Sequence, residues 1–132
     1  MAVRLYPTGA EGIAEGTIDW LNDDIKVAAV SSSYTFSAAH NFHDDLTGVI
    51  VTSGNLASKT SVVSSDDVIL DAADTVVTNS ASGTVEALVL YKDTGVSATS
   101  PLIAHIDNMS TAVNGVNFTI AWNASGIMQL QT

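Results

Sequence analysis

Apolar positions along this chain come in short runs or in strict alternation, broken every few residues by Asn, Asp, Ser, Thr and Gly. That spacing predicts strands and turns, because side chains of an extended chain alternate between two faces. Ile25-Lys26-Val27-Ala28-Ala29-Val30 is almost uninterruptedly apolar, as a strand covered on both faces must be. Residues 85–92, with Ala87-Leu88-Val89-Leu90-Tyr91 at their centre, read as a second core strand. Residues 117–123 alternate cleanly: Phe118, Ile120 and Trp122 share one face, while Asn117, Thr119 and Ala121 share the other. Further strands are predicted at 17–20, 48–52, 61–63, 68–70, 74–78, 102–106 and 127–131. Pro101 suits the start of the strand at 102–106. Asn22-Asp23-Asp24 and Asp93-Thr94-Gly95 are turn clusters, and Asn123-Ala124-Ser125-Gly126 reads as a hairpin loop joining the last two strands.

Two segments depart from this pattern. Thr8-Gly9-Ala10-Glu11 has the spacing of a capping box, Ala10, Ile13 and Ala14 share a helical face, and Gly16 sits where a helix ends. Gly9 and Gly12 weaken that helix, at about 1 kcal/mol each relative to Ala. One or two helical turns, or a loosely helical arm, are expected over 1–16. Ser37 is placed to cap a short helix over 38–46 that ends near Gly48. No helix is long enough to serve as a parallel crossover. The expectation is therefore an all-β fold, an antiparallel β-sandwich or jelly-roll-like barrel. It carries a short N-terminal arm or helix at 1–16 and one short inserted helix within a single β domain at 17–132.

A length of 132 residues fits one domain and needs no covalent staples, and the chain has no cysteine to supply them. Charge changes the picture more. Fourteen acids face four cations, for a net charge of −10, and Arg4, Lys26, Lys59 and Lys92 lie far apart. No basic stripe can form, which argues against nucleic acid and against anionic membranes as partners. Only 14% of residues are charged, against about 25% in ordinary soluble domains. Fifteen Ser and fourteen Thr provide much of the polar surface instead, and mean hydropathy is +0.29. Such an exterior can be covered by neighbours with few ions to desolvate. The first residues lack the apolar core of a secretory signal, and no apolar run reaches the ~18 residues of a membrane span. Synthesis in a cytoplasm without export is expected, which makes the sequons at Asn108, Asn117 and Asn123 chance matches.

Candidate chemistry is sparse. His40 and His43 stand three apart on the expected helix, beside Asp44 and Asp45, and could offer three metal ligands. A polar surface helix with hydrogen-bonded histidines explains the same residues without a metal. Acid pairs recur at Asp23-Asp24, Asp44-Asp45 and Asp66-Asp67, with Asp71 and Asp74 nearby. Paired carboxylates can hydrolyse glycosides or hold calcium, yet no D-x-D-x-D-G loop is present, and acids beside turns are the normal solvated ends of strands. The sequence contains no G-x-S-x-G, P-loop or dinucleotide fingerprint. Trp20, Trp122 and Tyr34 could form a sugar-stacking platform, but eight aromatics in all are few for that task. No enzyme, no cofactor and no metal site is expected.

Two stretches carry a resemblance. Glu15-Gly-Thr-Ile-Asp-Trp-Leu-Asn-Asp-Asp-Ile-Lys-Val-Ala lies within 12–30, and Glu86-Ala-Leu-Val-Leu-Tyr-Lys-Asp-Thr-Gly is followed by Ser100-Pro-Leu-Ile-Ala-His-Ile-Asp within 85–107. With the order of elements around them, they resemble a family of small virion proteins of tailed phages. The resemblance covers most of the chain, and its motifs mark no site. It implies a structural subunit of a bacteriophage particle, in the first place a capsid decoration or cement protein. Such a subunit would bind the major capsid protein or other virion proteins on the outer capsid surface as a homo-oligomer, with a trimer as the guess. A neck, tail or baseplate component is the alternative, and a carbohydrate-binding β-sandwich module a distant third. Val3, Arg4, Leu5, Tyr6 and Pro7 are the expected inter-subunit contact, because the N-terminal segment is the part least accounted for by the β core.

Overall fold

The computed structural model describes residues 2–79 and 81–131, and for Gln131 the backbone alone. The fold is all-β, sandwich-like and antiparallel throughout, with one α-helix. Its centre is a five-stranded sheet in the order β1 (Val3–Leu5), β9 (Leu102–Ile106), β8 (Ala87–Lys92), β2 (Ile25–Val30) and β3 (Val49–Thr52). Strands β2 and β8 pair without a break from Ile25 opposite Lys92 to Val30 opposite Ala87. Their apolar runs divide by parity. Val27, Ala29, Leu88 and Leu90 pack into one core, and Ala28, Val30, Val89 and Tyr91 into a second core on the opposite face. Both faces are covered, as the continuous run of apolar residues predicts.

Three small sheets cover the first face. They are β12 (Met128–Gln131) with β5 (Asp67–Asp71) and β4 (Thr60–Ser64), β11 (Phe118–Ile120) with β6 (Thr75–Val77), and β10 (Thr111–Asn114) with β7 (Ser82–Val85). Leu70, Val77, Val85, Val113, Ile120 and Met128 reach from them into the shared core. The second face is covered by irregular chain between β2 and β3, through Tyr34, Leu46 and the partly buried Phe36.

The N-terminal segment differs from a detached arm. Val3–Leu5 is the edge strand of the central sheet, in register with Ile106, His105 and Ala104. Tyr6 is fully buried. Residues 2–16 thus form an edge strand and the short helix expected there, both packed on β9; Met1 and Thr132, the outer bounds of the segments 1–16 and 17–132, lie outside the described residues. Helix α1 (Pro7–Glu15) starts at Pro7 with no side-chain cap, because Thr8 is inside the helix and turns its hydroxyl to Asn41 Oδ1 at 2.6 Å. Proline suits that first position, since its missing N–H would be unpaired there anyway. Gly9 has a packing reason: a Cβ there would lie 2.5 Å from the Ile103 carbonyl oxygen, so only glycine lets the helix touch β9. Gly16 ends the helix in the left-handed region at φ 77°.

Three further expectations are corrected. The helix over 38–46 is absent apart from a single 3₁₀ turn, His43–Asp45. Asp45 Oδ2 accepts the N–H groups of Asn41 and Phe42, and such side-chain competition diverts the backbone from a helix. Residues 17–20 are bent, irregular chain that runs into a turn over 20–22, where the Asp19 carboxylate accepts from Leu21 and Asn22. Ile18 and Trp20 are both buried, which produced the strand-like alternation without a ladder. Residues 123–126 make a turn, but β11 pairs with β6 and β12 with β5, so the last two strands form no hairpin.

Candidate functional site

All three histidines lie on one side of the central sheet, in or against the irregular layer. Tyr6 and Tyr34 share a hydroxyl hydrogen bond of 2.7 Å, and Tyr34 Oη meets His40 Nδ1 at 2.8 Å. Phe36 lies 4.7 Å from the Tyr6 ring and 5.4 Å from that of His105, and the Arg4 guanidinium covers it at 4.2 Å. His43 packs on Tyr91 with ring centroids 4.5 Å apart, and its Nε2 is buried with no hydrogen-bond partner among the described residues. Burial pushes the Tyr6 hydroxyl far above its ordinary pKa, reinforced by Tyr34. Burial also holds His43 below the usual histidine range, against Asp93 and Asp44, which favour its charged form. For His105 burial again leads, with Asp107 opposing it and Arg4 adding to it. His40 and His43 therefore face different aromatic partners rather than one metal. Among the described residues, no three His, Asp or Glu side chains converge as a metal site.

Of the acid pairs, Asp23-Asp24 ties down strand ends, together with the separate Asp93. Asp93 pairs with Lys26 at 2.7 Å and Asp23 with Lys92 at 3.2 Å. Asp24 accepts from Asn55 Nδ2 at 3.0 Å, and Lys59 Nζ donates to the Asp23 carbonyl. The hydrogen bond from Lys26 holds the Asp93 carboxyl below its ordinary pKa. The three aromatics weighed as a sugar platform do not come together. Trp20 and Tyr34 are buried in different cores, and partly buried Trp122 uses its Nε1–H on Thr75 Oγ1.

A cleft of about 680 Å³ opens between the β1 side of the central sheet and the chain around β11 and β12. Val3, Leu5, Leu88, Ile106, Phe118 and Trp122 line it with other apolar and neutral side chains, and among the described residues no charged side chain lines it. Such a lining suits an apolar group. Of the five residues expected to make inter-subunit contacts, Val3 and Leu5 line this cleft, Arg4 lies on Phe36, Tyr6 is buried and Pro7 opens α1.

The outer surface carries the least conventional feature. All five residues of β4 are exposed, including Val62 at 54% and Val63 at 76%. Val76 and Val116 are similarly open at 65% and 64%. The sequence signals the strand at 61–63 but not its exposure; the Ser and Thr residues that flank the two valines are the only hint. No protein-family model and no curated protein sequence matches the chain.

Proposed function

We propose that this chain is a structural subunit of a tailed-phage particle, placed on the outer shell as a decoration or cement protein. The observation that supports this reading is a surface with exposed valines on separate parts of the fold, Val62, Val63, Val76, Val96 and Val116. Valines exposed singly are ordinary on a monomer, but Val62 and Val63 stand side by side on a strand exposed along its whole length, and a subunit that touches neighbours would cover them. Low charge density keeps the cost of that desolvation small. The resemblance of 12–30 and 85–107 to phage virion proteins supplies the kind of assembly. The net charge of −10 disfavours an inner position against packaged DNA.

A cement protein binds the assembled lattice better than free subunits, and that difference becomes resistance to disruption. The test compares survival of capsids on heating or at low ionic strength, with and without added protein, and locates the bound density. Added protein should raise the disruption temperature and appear as density on the shell. Density on the neck or tail, with capsid survival unchanged, would replace this reading with the tail-component alternative.

A further inference from the structure

We propose that β4 pairs antiparallel with β4 of a second copy of this chain, joining two three-stranded sheets across a two-fold axis at Val62. The pairing deepens the subunit reading and rests on it for its purpose, though not for its test.

Among the described strands β4 pairs only with β5 and ends the sheet order β12-β5-β4, with the Thr60 carbonyl at its start already accepting from Trp20 Nε1. Its ladder with β5 is regular over five pairs, from Thr60 opposite Asp71 to Ser64 opposite Asp67. A free edge of this kind presents a row of backbone donors and acceptors that another strand can take up. Proteins that must stay apart protect such edges with charges, proline, bulges or very short strands. The edges of the central sheet carry those devices: β1 has only three residues, with Arg4 at its middle and Pro7 close behind, and β3 meets a bulge in its pairing with β2. Thr60-Ser61-Val62-Val63-Ser64 has none of them.

Charge identifies the occupant. A chain of net charge −10 repels its own copies over most of its surface, but β4 holds no charge. Lys59 precedes it, and Asp66 and Asp67 follow it. An antiparallel second copy brings the Lys59 end of each strand to the Asp66 end of the other. A parallel copy would set lysine beside lysine and aspartate beside aspartate. The contact is isologous and closes on itself as a dimer. Five paired residues bury less than the ~1,000 Å² of a lasting interface, so the pair is weak alone and gains strength from repetition in an assembly.

The native chain has no cysteine, so Val62→Cys supplies its only thiol. Directly opposed residues of an antiparallel pair have Cβ atoms ~4.5–5.5 Å apart, close to disulfide reach. Purified Val62→Cys protein is oxidised in a glutathione buffer and the covalent dimer is followed on non-reducing gels. Val76→Cys and Val116→Cys, at 65% and 64% exposure in the parent valines, are the controls. Val62→Cys should cross-link at least tenfold faster than either control. Adding Val63→Lys should remove that advantage while the far-UV spectrum and melting temperature stay those of the parent. Equal rates for the three single-thiol proteins overturn the proposal, as does an advantage that survives Val63→Lys. Fast cross-linking by a protein that does not bind capsids would sink the phage reading alone; capsid binding with equal rates would sink the pairing alone.

Discussion

His43 and His105 show how single residues tie this fold to solution conditions. His43 packs on the central sheet against Tyr91 with Asp93 and Asp44 nearby, and His105 belongs to that sheet in β9 and faces Tyr34 and Phe36 with Arg4 and Asp107 nearby. Burial lowers the folded-state pKa of each below the ordinary 6.5. The unfolded chain therefore binds protons that the folded chain refuses. Stability rises with pH through that window, so it is fully present above ~6.5 and falls as pH drops toward the folded-state values. Urea midpoints should decline between pH 7 and pH 5.5, before the carboxylates titrate. The double variant His43→Gln, His105→Gln should lose most of that slope, whatever its stability at pH 7. An unchanged slope would show that these two rings do not control acid sensitivity.

At the scale of elements, legibility follows the locality of the signal. Strands β2, β8 and β9 could be read from the chain because a run of apolar residues covered on both faces leaves no other solution of that length. Strand β1 could not: Val3, Arg4 and Leu5 make a three-residue strand only because β9, about a hundred residues on, supplies its ladder. Strand β10 escaped for the same reason, since Thr111-Ala112-Val113-Asn114 is polar apart from its middle and pairs with distant β7. The cleft is a gap between elements remote in sequence, so no local pattern marks it. The two-sided exposure of β4 is likewise set by what surrounds it, since paired valines look the same in a core. The corrected role of the N-terminal segment changes one expectation. Deleting residues 2–16 removes an edge strand, the only α-helix described and the buried Tyr6. Each of these touches β9 or its core: Tyr6 N–H donates to the Ile103 carbonyl at 2.9 Å, and Gly9 sits against the same residue. The truncated chain should lose its cooperative thermal transition and near-UV signal, rather than survive as a folded domain that merely fails to dock. A truncated protein that melts as sharply as the parent would make the segment a detachable arm after all.

For the whole molecule the decisive property is how few residues are charged, and under the proposed shell-subunit function it predicts the response to salt. Among the described residues Lys26 is paired with Asp93 and Lys92 with Asp23, and Arg4 lies over Phe36. Few cations are therefore left to form long-range attractions to a shell. The acids are many, yet a shell that attracted them would have to be basic over a wide area, and the valine-bearing surfaces would gain nothing from it. Contact through exposed valines and backbone edges depends on dehydration and hydrogen bonding, which mobile ions screen weakly. Raising sodium chloride from about 0.1 M to about 1 M shortens the Debye length from ~10 Å to ~3 Å and removes most attraction between exposed charges. Retention on capsids should survive that change, as measured by cosedimentation of protein with particles across the series. The same particles should release Val63→Lys protein more readily, because a charge placed in an apolar contact must be desolvated. Loss of the parent protein at moderate salt would instead mean docking through its acids, and the valines would then need another partner.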